Sequence, residues 1–423
     1  MEQFSTAGEF IQHESLKNLL SEAEELKKNP KWQVSDILDG AGNQYVDLVQ
    51  EGGGVLGIAL VGYTWMLERL GIRFFHVAGT SAGAINTLLM AGLGPIDQAK
   101  SEMLLTILAQ KNLFDLVDGD PTLKKITQKL IDGTPFKKLI LKLLFNIRKI
   151  KQALFFDFGL NPGKDFEKWI DQILKEGSSE IGTLEQLISL RSSKHFPDKL
   201  INRITGKQIG DSMAKIAIIT ADITTRTKVV FPDMAHLYFK DHINMKPCQL
   251  VRASMSVPLF FMPFAADDIP DAGTSGHPEW IRWALYTGKV PPSASFVDGG
   301  LISNFPIDVF HLPGSGIPRK PTFGVRLSTF RESFELVDDL SSYLGGLIAT
   351  MRHDSDNEFL RKNPDFNRLI TFINADQLVN WLNFNLSDEE KLLLFRKGAE
   401  SAFSFVKNFD WAEYKELRSK MSE

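Results

Sequence analysis

Between positions 44 and 92 the chain passes twice from a two-residue to a 3.6-residue hydrophobic rhythm. Tyr45-Val46-Asp47-Leu48-Val49-Gln50 alternates as a strand does. Apolar residues then recur at helical spacing from Ile58 to Leu70 and stop at Gly71, a residue suited to a helix C-terminus. Arg73-Phe74-Phe75-His76-Val77-Ala78 predicts a second strand, and Ala84 to Ala91 predicts a buried helix. Strand, turn and helix repeated in this order predict two consecutive units of a parallel sheet.

The same reading continues along the chain. Ser15 to Lys28 can form an amphipathic helix, and Asp165 to Leu174 a helix introduced by the turn Gly159 to Lys164. Lys215 to Asp222 and Lys228 to Phe231 read as strands joined by a polar turn, Ala294 to Val297 as a short strand, and Thr322 to Leu327 as the last strand. Ser387-Asp388-Glu389-Glu390 is a capping box ahead of a helix from about 388 to 406. Asp267 to Pro278, rich in Asp, Gly and Pro, predicts a mobile loop bordering the site. These elements divide the chain into a polar, helical extension (1–43), an α/β unit (44–310) and a C-terminal strand with helices (311–423) packed on it.

Both early turns carry glycine. Gly79-Thr80-Ser81-Ala82-Gly83 sets a serine on a strand-to-helix turn, where small neighbours permit a sharp elbow and the hydroxyl projects above the sheet edge. Gly52-Gly53-Gly54-Val55-Leu56-Gly57 occupies the preceding turn. In a parallel sheet both turns fall at the same edge, so the Gly52, Gly53 and Gly54 amides are candidates for an oxyanion hole beside Ser81. Gly52, Gly54 and Gly57 also satisfy the G-x-G-x-x-G pattern of a dinucleotide-binding oxidoreductase, but the acidic residue expected about 20 positions on is replaced by the serine elbow. None of the eight histidines follows a convincing strand-end turn. Asp298-Gly299-Gly300 does follow a strand at once, although alone it reads as an ordinary turn aspartate.

Taken together, and in this order, the three motifs closely resemble the patatin-like phospholipases. Ala253-Ser254-Met255-Ser256-Val257-Pro258 and Asn304-Phe305-Pro306 resemble further blocks of that family, and the likeness runs from about Val46 to Phe310. It implies an α/β three-layer fold with a mainly parallel central sheet flanked by helices. It implies Ser81 as nucleophile and Asp298 as its base, supported by Gly57, Gly79, Gly83, Gly299 and Gly300. The reaction implied is phospholipase A-type cleavage of membrane glycerophospholipid acyl esters through an acyl-enzyme, with no cofactor or metal. An ordinary aspartate, with a pKa of about 3.9, is a poor base for a hydroxyl. The pair must therefore lie within hydrogen-bond reach in a partly dry site. The same dyad would serve a thioesterase or an acyltransferase, and a silent membrane-binding regulator is a further alternative. Leu56 departs from the pattern, which carries Arg or Lys there.

Composition alters this picture little. With 43% hydrophobic and 24% charged residues the chain can bury a large core, and a formal net charge of -4 does not favour nucleic acid as a partner. Cys248 is the sole cysteine, so no intrachain disulfide forms and a reducing compartment is mildly favoured. Met1 to Lys17 lacks a basic start followed by an apolar core, so no signal peptide is expected. Phe74 to Ile96 has the length of a membrane span but contains the serine elbow and several glycines, so it reads as strand, turn and buried helix. Between Leu123 and Leu154 nine Lys or Arg residues face only Asp132, with apolar residues at helical spacing. This insertion is either a solvated helical cover or a basic surface meeting anionic lipid through Lys137, Lys138 and Lys142. The expected location is cytoplasmic with peripheral membrane contact, and an unidentified activator is left open.

Overall fold

A computed structural model describes residues 7–421 apart from 132–147, 150, 153–155, 198, 210–212, 312–315, 328–335, 338–345, 347–349, 351–357 and 382. Lys137, Lys138 and Lys142 lie outside the described residues. The strands are β1 (Ile37–Leu38), β2 (Gln44–Gln50), β3 (Ile72–Thr80), β4 (Gly159–Asn161), β5 (Ile201–Asn202) and β6 (Ile216–Asp222), followed by β7 (Thr227–Phe231), β8 (Leu259–Phe261), β9 (Phe264–Asp267), β10 (Ser293–Asp298), β11 (Thr322–Arg326) and β12 (Ile370–Phe372). The main sheet runs β12-β11-β2-β3-β6-β10-β9, with β7 on β6 and β1 joining β2 to β5. Its first five strands are parallel, whereas β10 enters antiparallel to β6 and β9 antiparallel to β10.

Side-chain alternation makes this sheet the middle of three layers. Leu48, Val77 and Ile218 point into the larger core, while the adjacent Val49, Ala78 and Ala217 point into a second core on the other face. The principal helices are α1 (Glu14–Lys28), α2 (Gly57–Arg69), α3 (Ala82–Gly92), α4 (Ser101–Gln110), α5 (Pro121–Ile131), α6 (Lys164–Glu176), α7 (Pro247–Ser254) and α8 (Asp388–Asn408). α2 is apolar almost all round because it lies between the sheet and α8. The two helices meet at glycine: a Cβ at Gly62 would overlap the Phe395 carbonyl, and one at Gly398 the Ala59 carbonyl. Ser387 and Glu390 cap α8 reciprocally.

The chain ends are packed together. Leu16 and Ala23 of α1 are buried, Trp32 Nε1 donates to the Val406 carbonyl at 3.2 Å, and Trp411 Nε1 to Asp36 at 2.9 Å. Three expectations need correction. Gly159 to Asn161 is a strand, paired in parallel with β8, because glycine at 159 lets the two backbones approach closely. Thr322 to Leu327 is followed by a further strand, β12, too short for an alternation pattern to reveal. The Asp267 to Pro278 loop follows β9, whose Asp267 pairs with Ser293 at the start of β10. It therefore leaves β10 about 17 Å from Asp298 and does not border the site.

Candidate active site

β3 runs without a break into Ser81, whose backbone sits at φ 52° and ψ −117°. A residue with a side chain is strained there. The flanking glycines follow from close approach, because a Cβ at Gly79 would overlap the Gly83 carbonyl and one at Gly83 would overlap the Gln50 carbonyl. The elbow is thus pressed against the end of β2. Ser81 is 4% exposed, and its N–H donates to Ser254 Oγ at 2.9 Å. That hydroxyl in turn donates to the Ile219 carbonyl of β6 at 2.6 Å.

Asp298 arrives from the opposite direction along the same edge of β6. β7 covers one edge of β6, and on the other edge Thr80 pairs with Ile219 and Asp298 with the next residue, Thr220, so the ends of β3 and β10 meet head to head. The Asp298 N–H donates to the Ser256 carbonyl at 2.9 Å, and its Oδ1 accepts from the Gly300 N–H at 2.7 Å, which orients the carboxylate. A Cβ at Gly299 would strike the Ile219 backbone, so glycine allows this turn to lie against β6. Ser81 and Asp298 are both bonded to the chain leaving α7. Arg252 braces that turn: its guanidinium donates to Ser256 Oγ at 2.7 Å, the Pro162 carbonyl at 2.6 Å and the Met262 carbonyl at 2.7 Å. Burial brings its pKa down to about 10, so it stays cationic near neutrality.

The glycine turn is held from β11. Glu51 is fully buried, accepting from Arg326 Nε at 3.1 Å and from the Leu327 N–H at 2.6 Å. Gly52 departs from its expected role, because its N–H donates to the Asn304 carbonyl at 3.0 Å while Asn304 Nδ2 donates back at 3.2 Å. The N–H groups of Gly53 and Gly54 donate to no acceptor among the described residues. Gly54 has φ +56 and lies against the Trp381 carbonyl, where no side chain would fit. Leu56, the departure from the family pattern, is buried in the core.

An apolar recess opens on Ser81. Its walls include Leu89, Leu104, Leu116, Phe166 and Phe260, with Trp381 and Phe384 contributed by the C-terminal region. Its wall also holds Asn86, a buried amide whose Nδ2 donates to Gln50 and whose Oδ1 has no partner among the described residues. His311 packs edge-on against Phe359 and Phe366, and His353 lies outside the described residues.

A family model described as "Patatin-like phospholipase" matches residues 48–311, well over half of the chain. The chain belongs to the patatin-like phospholipase family. The match spans both glycine turns, the serine elbow and the Asp298 turn, and it places this patatin-like chain among the lipid hydrolases. Among curated relatives, "Uncharacterized protein YqhO" of Bacillus subtilis (strain 168) is 28% identical over 377 residues, covering 87% of this chain and 100% of the relative. Among solved structures, VipD from Legionella pneumophila aligns at 15% identity with a TM-score of 0.40, covering 92% of this chain and 73% of that one. No described helix of the patatin-like chain is long and apolar enough to cross a membrane.

Two features of this patatin-like site went unread in the sequence. Ser254 was visible only as part of a supporting block, and nothing local marks its hydroxyl as the acceptor for Ser81. Arg252 sits one α-helical turn before Ser256, a spacing that could have suggested the pair.

Proposed function

We propose that this protein is a phospholipase A-type acyl hydrolase acting on membrane glycerophospholipids through Ser81 and Asp298. The observation that carries this reading is the shared tether: Ser81 and Asp298, far apart in sequence, are both bonded through their N–H groups to the turn spanning Ser254 and Ser256. In this scheme Asp298 takes the proton as Ser81 Oγ attacks the ester carbonyl. The oxyanion is met by the Gly53 and Gly54 N–H groups and by that of Ala82, the residue after the nucleophile at the start of α3. Collapse expels the lysophospholipid, whose oxygen takes that proton from Asp298, and leaves an acyl-serine with the acyl chain in the apolar recess. Water activated by Asp298 then releases the fatty acid and restores the serine. Residues 44–310 form the catalytic unit in this proposal, and the C-terminal region completes the recess through Trp381 and Phe384.

Fatty-acid release from mixed phospholipid vesicles tests the scheme, with wild type set beside Ser81→Ala and Asp298→Asn after circular dichroism shows all three folded. Release by wild type alone is expected. A variant that keeps wild-type turnover would remove its residue from the dyad.

A further inference from the structure

Two neighbouring surface residues hold bulky apolar side chains in the left-handed backbone region: Phe158 at φ 57° and Leu259 at φ 68°. Such residues avoid that region, so an outlier pair in one place points to function. They are neighbours because Gly159, next to Phe158, pairs with Leu259 across β4 and β8. Phe158 is 59% exposed, Leu259 49% and the nearby Phe156 67%. An exposed apolar cluster of this kind marks a surface that something covers.

The patch is the outer side of the recess wall. Along β8, Leu259 faces solvent while Phe260 turns inward to line the recess and stacks on Phe384 at 5.2 Å. Cations border the patch: Arg148 and Lys149 line a groove with Leu160, Pro162 and Met262, residues of or beside this small sheet. Lys125, on α5 packed against β4, and Lys151 are also exposed. The carboxylates facing them are Asp120 and Asp157. Asp120 is paired with Lys149 at 2.7 Å, and Asp157 accepts from Gln152 at 3.4 Å. Lys125, Arg148 and Lys151 make no ion pair among the described residues.

We infer that this patch docks the protein on an anionic phospholipid bilayer, with Phe156, Phe158 and Leu259 entering the boundary between headgroups and acyl chains and the adjacent cations meeting the phosphates. The inference rests on the lipid-hydrolase reading of the recess and names the surface that delivers the substrate to it. Leu259 on β8 and Phe158 just before the paired strand β4 hold their side chains outward beside the recess wall, so a bound bilayer lies against that wall.

The test uses the full chain carrying Ser81→Ala, which keeps vesicles intact, together with Phe156→Cys labelled by a polarity-sensitive dye. The sole native cysteine, Cys248, is buried, which directs the label to position 156. A blue shift on adding mixed phosphatidylcholine–phosphatidylglycerol vesicles is expected, and a smaller one with phosphatidylcholine alone. In a second arm the triple variant Phe156→Ser, Phe158→Asn, Leu259→Asn should lose vesicle binding by at least about tenfold. Asparagine is chosen because it tolerates the left-handed backbone. With Ser81 intact the triple variant should cleave a soluble short-chain ester at the wild-type rate. An unshifted dye, a triple variant that pellets with vesicles as wild type does, or a dye shift without lipid accompanied by a dimer mass would each overturn the inference. Binding with no ester cleavage by wild type would instead defeat the catalytic reading and leave the docking surface standing.

Discussion

Replacing Ser254 with alanine tests whether the tether sets catalytic geometry or only adds stability. The substitution removes a hydroxyl that accepts from the Ser81 N–H at 2.9 Å and donates to the Ile219 carbonyl at 2.6 Å. Two buried backbone groups lose a partner, each costing about 1–3 kcal/mol, so with partial relaxation of the turn the fold weakens by about 2–4 kcal/mol. Ser81 itself occupies a backbone region that costs about 1–3 kcal/mol and persists only where its surroundings enforce it. If about 2 kcal/mol of that enforcement is lost, kcat falls about 30-fold. KM for a short soluble ester should stay within about twofold, since the recess walls are untouched. Steady-state kinetics on a chromogenic ester, run beside a thermal melt, reads both quantities. Ser254→Thr keeps the hydroxyl and should recover most of kcat. Ser256→Ala is the contrasting control, because Asp298 bonds the backbone carbonyl of Ser256, not its side chain. It should disturb Arg252 and leave kcat largely intact. A lowered melting temperature with unchanged kcat in Ser254→Ala would refute the positioning argument.

Other outcomes follow from the packing, the recess and the buried charges. Ala at Gly62 or Gly398 drives a Cβ into a backbone carbonyl of the facing helix, so urea denaturation should show a loss of about 3 kcal/mol or more, and an unchanged midpoint would contradict the α2–α8 crossing. Leu104→Phe narrows the recess and should shift preference to shorter acyl chains; kcat/KM should drop about fourfold for each methylene left outside, measured across an ester series. His76 is held near a pKa of about 4, chiefly by burial, and its Nδ1 accepts from the Lys215 N–H at 2.8 Å, a bond that only the neutral ring can make. Its folded-state pKa lies below the ordinary 6.5, so the unfolded chain binds the extra proton first. Stability should therefore fall by on the order of 3 kcal/mol as pH drops from about 6.5 to about 4, and His76→Asn should flatten that part of the profile.

What the sequence determined by itself is local. The alternation in 45–50 and 73–78, the helical rhythm of 58–70, the stop at Gly71 and the cap at Ser387 are written within a few neighbouring residues, because strand pleat, helix period and capping bonds span no more than that. The glycines of the two early turns were legible for the same reason, since a serine elbow needs small residues on either side. Family likeness carried the reading further, to Asp298 and to the layered α/β architecture.

Tertiary structure alone decided the partners. No local pattern states that β10 runs antiparallel along the same edge of β6 as β3, which is what brings the end of β10 at Asp298 up to the end of β3 at Ser81. Nor does any local pattern give the Gly52 N–H to Asn304 or the Ser81 N–H to Ser254. A backbone donor at a turn bonds whichever acceptor the strand order brings within reach. The recess likewise draws its walls from separate helices, from β8 and from the Trp381 region, so it exists only once those elements are packed. Hydrophobic periodicity says that a face is buried; which face it meets depends on chain topology, and the site is assembled at those meetings.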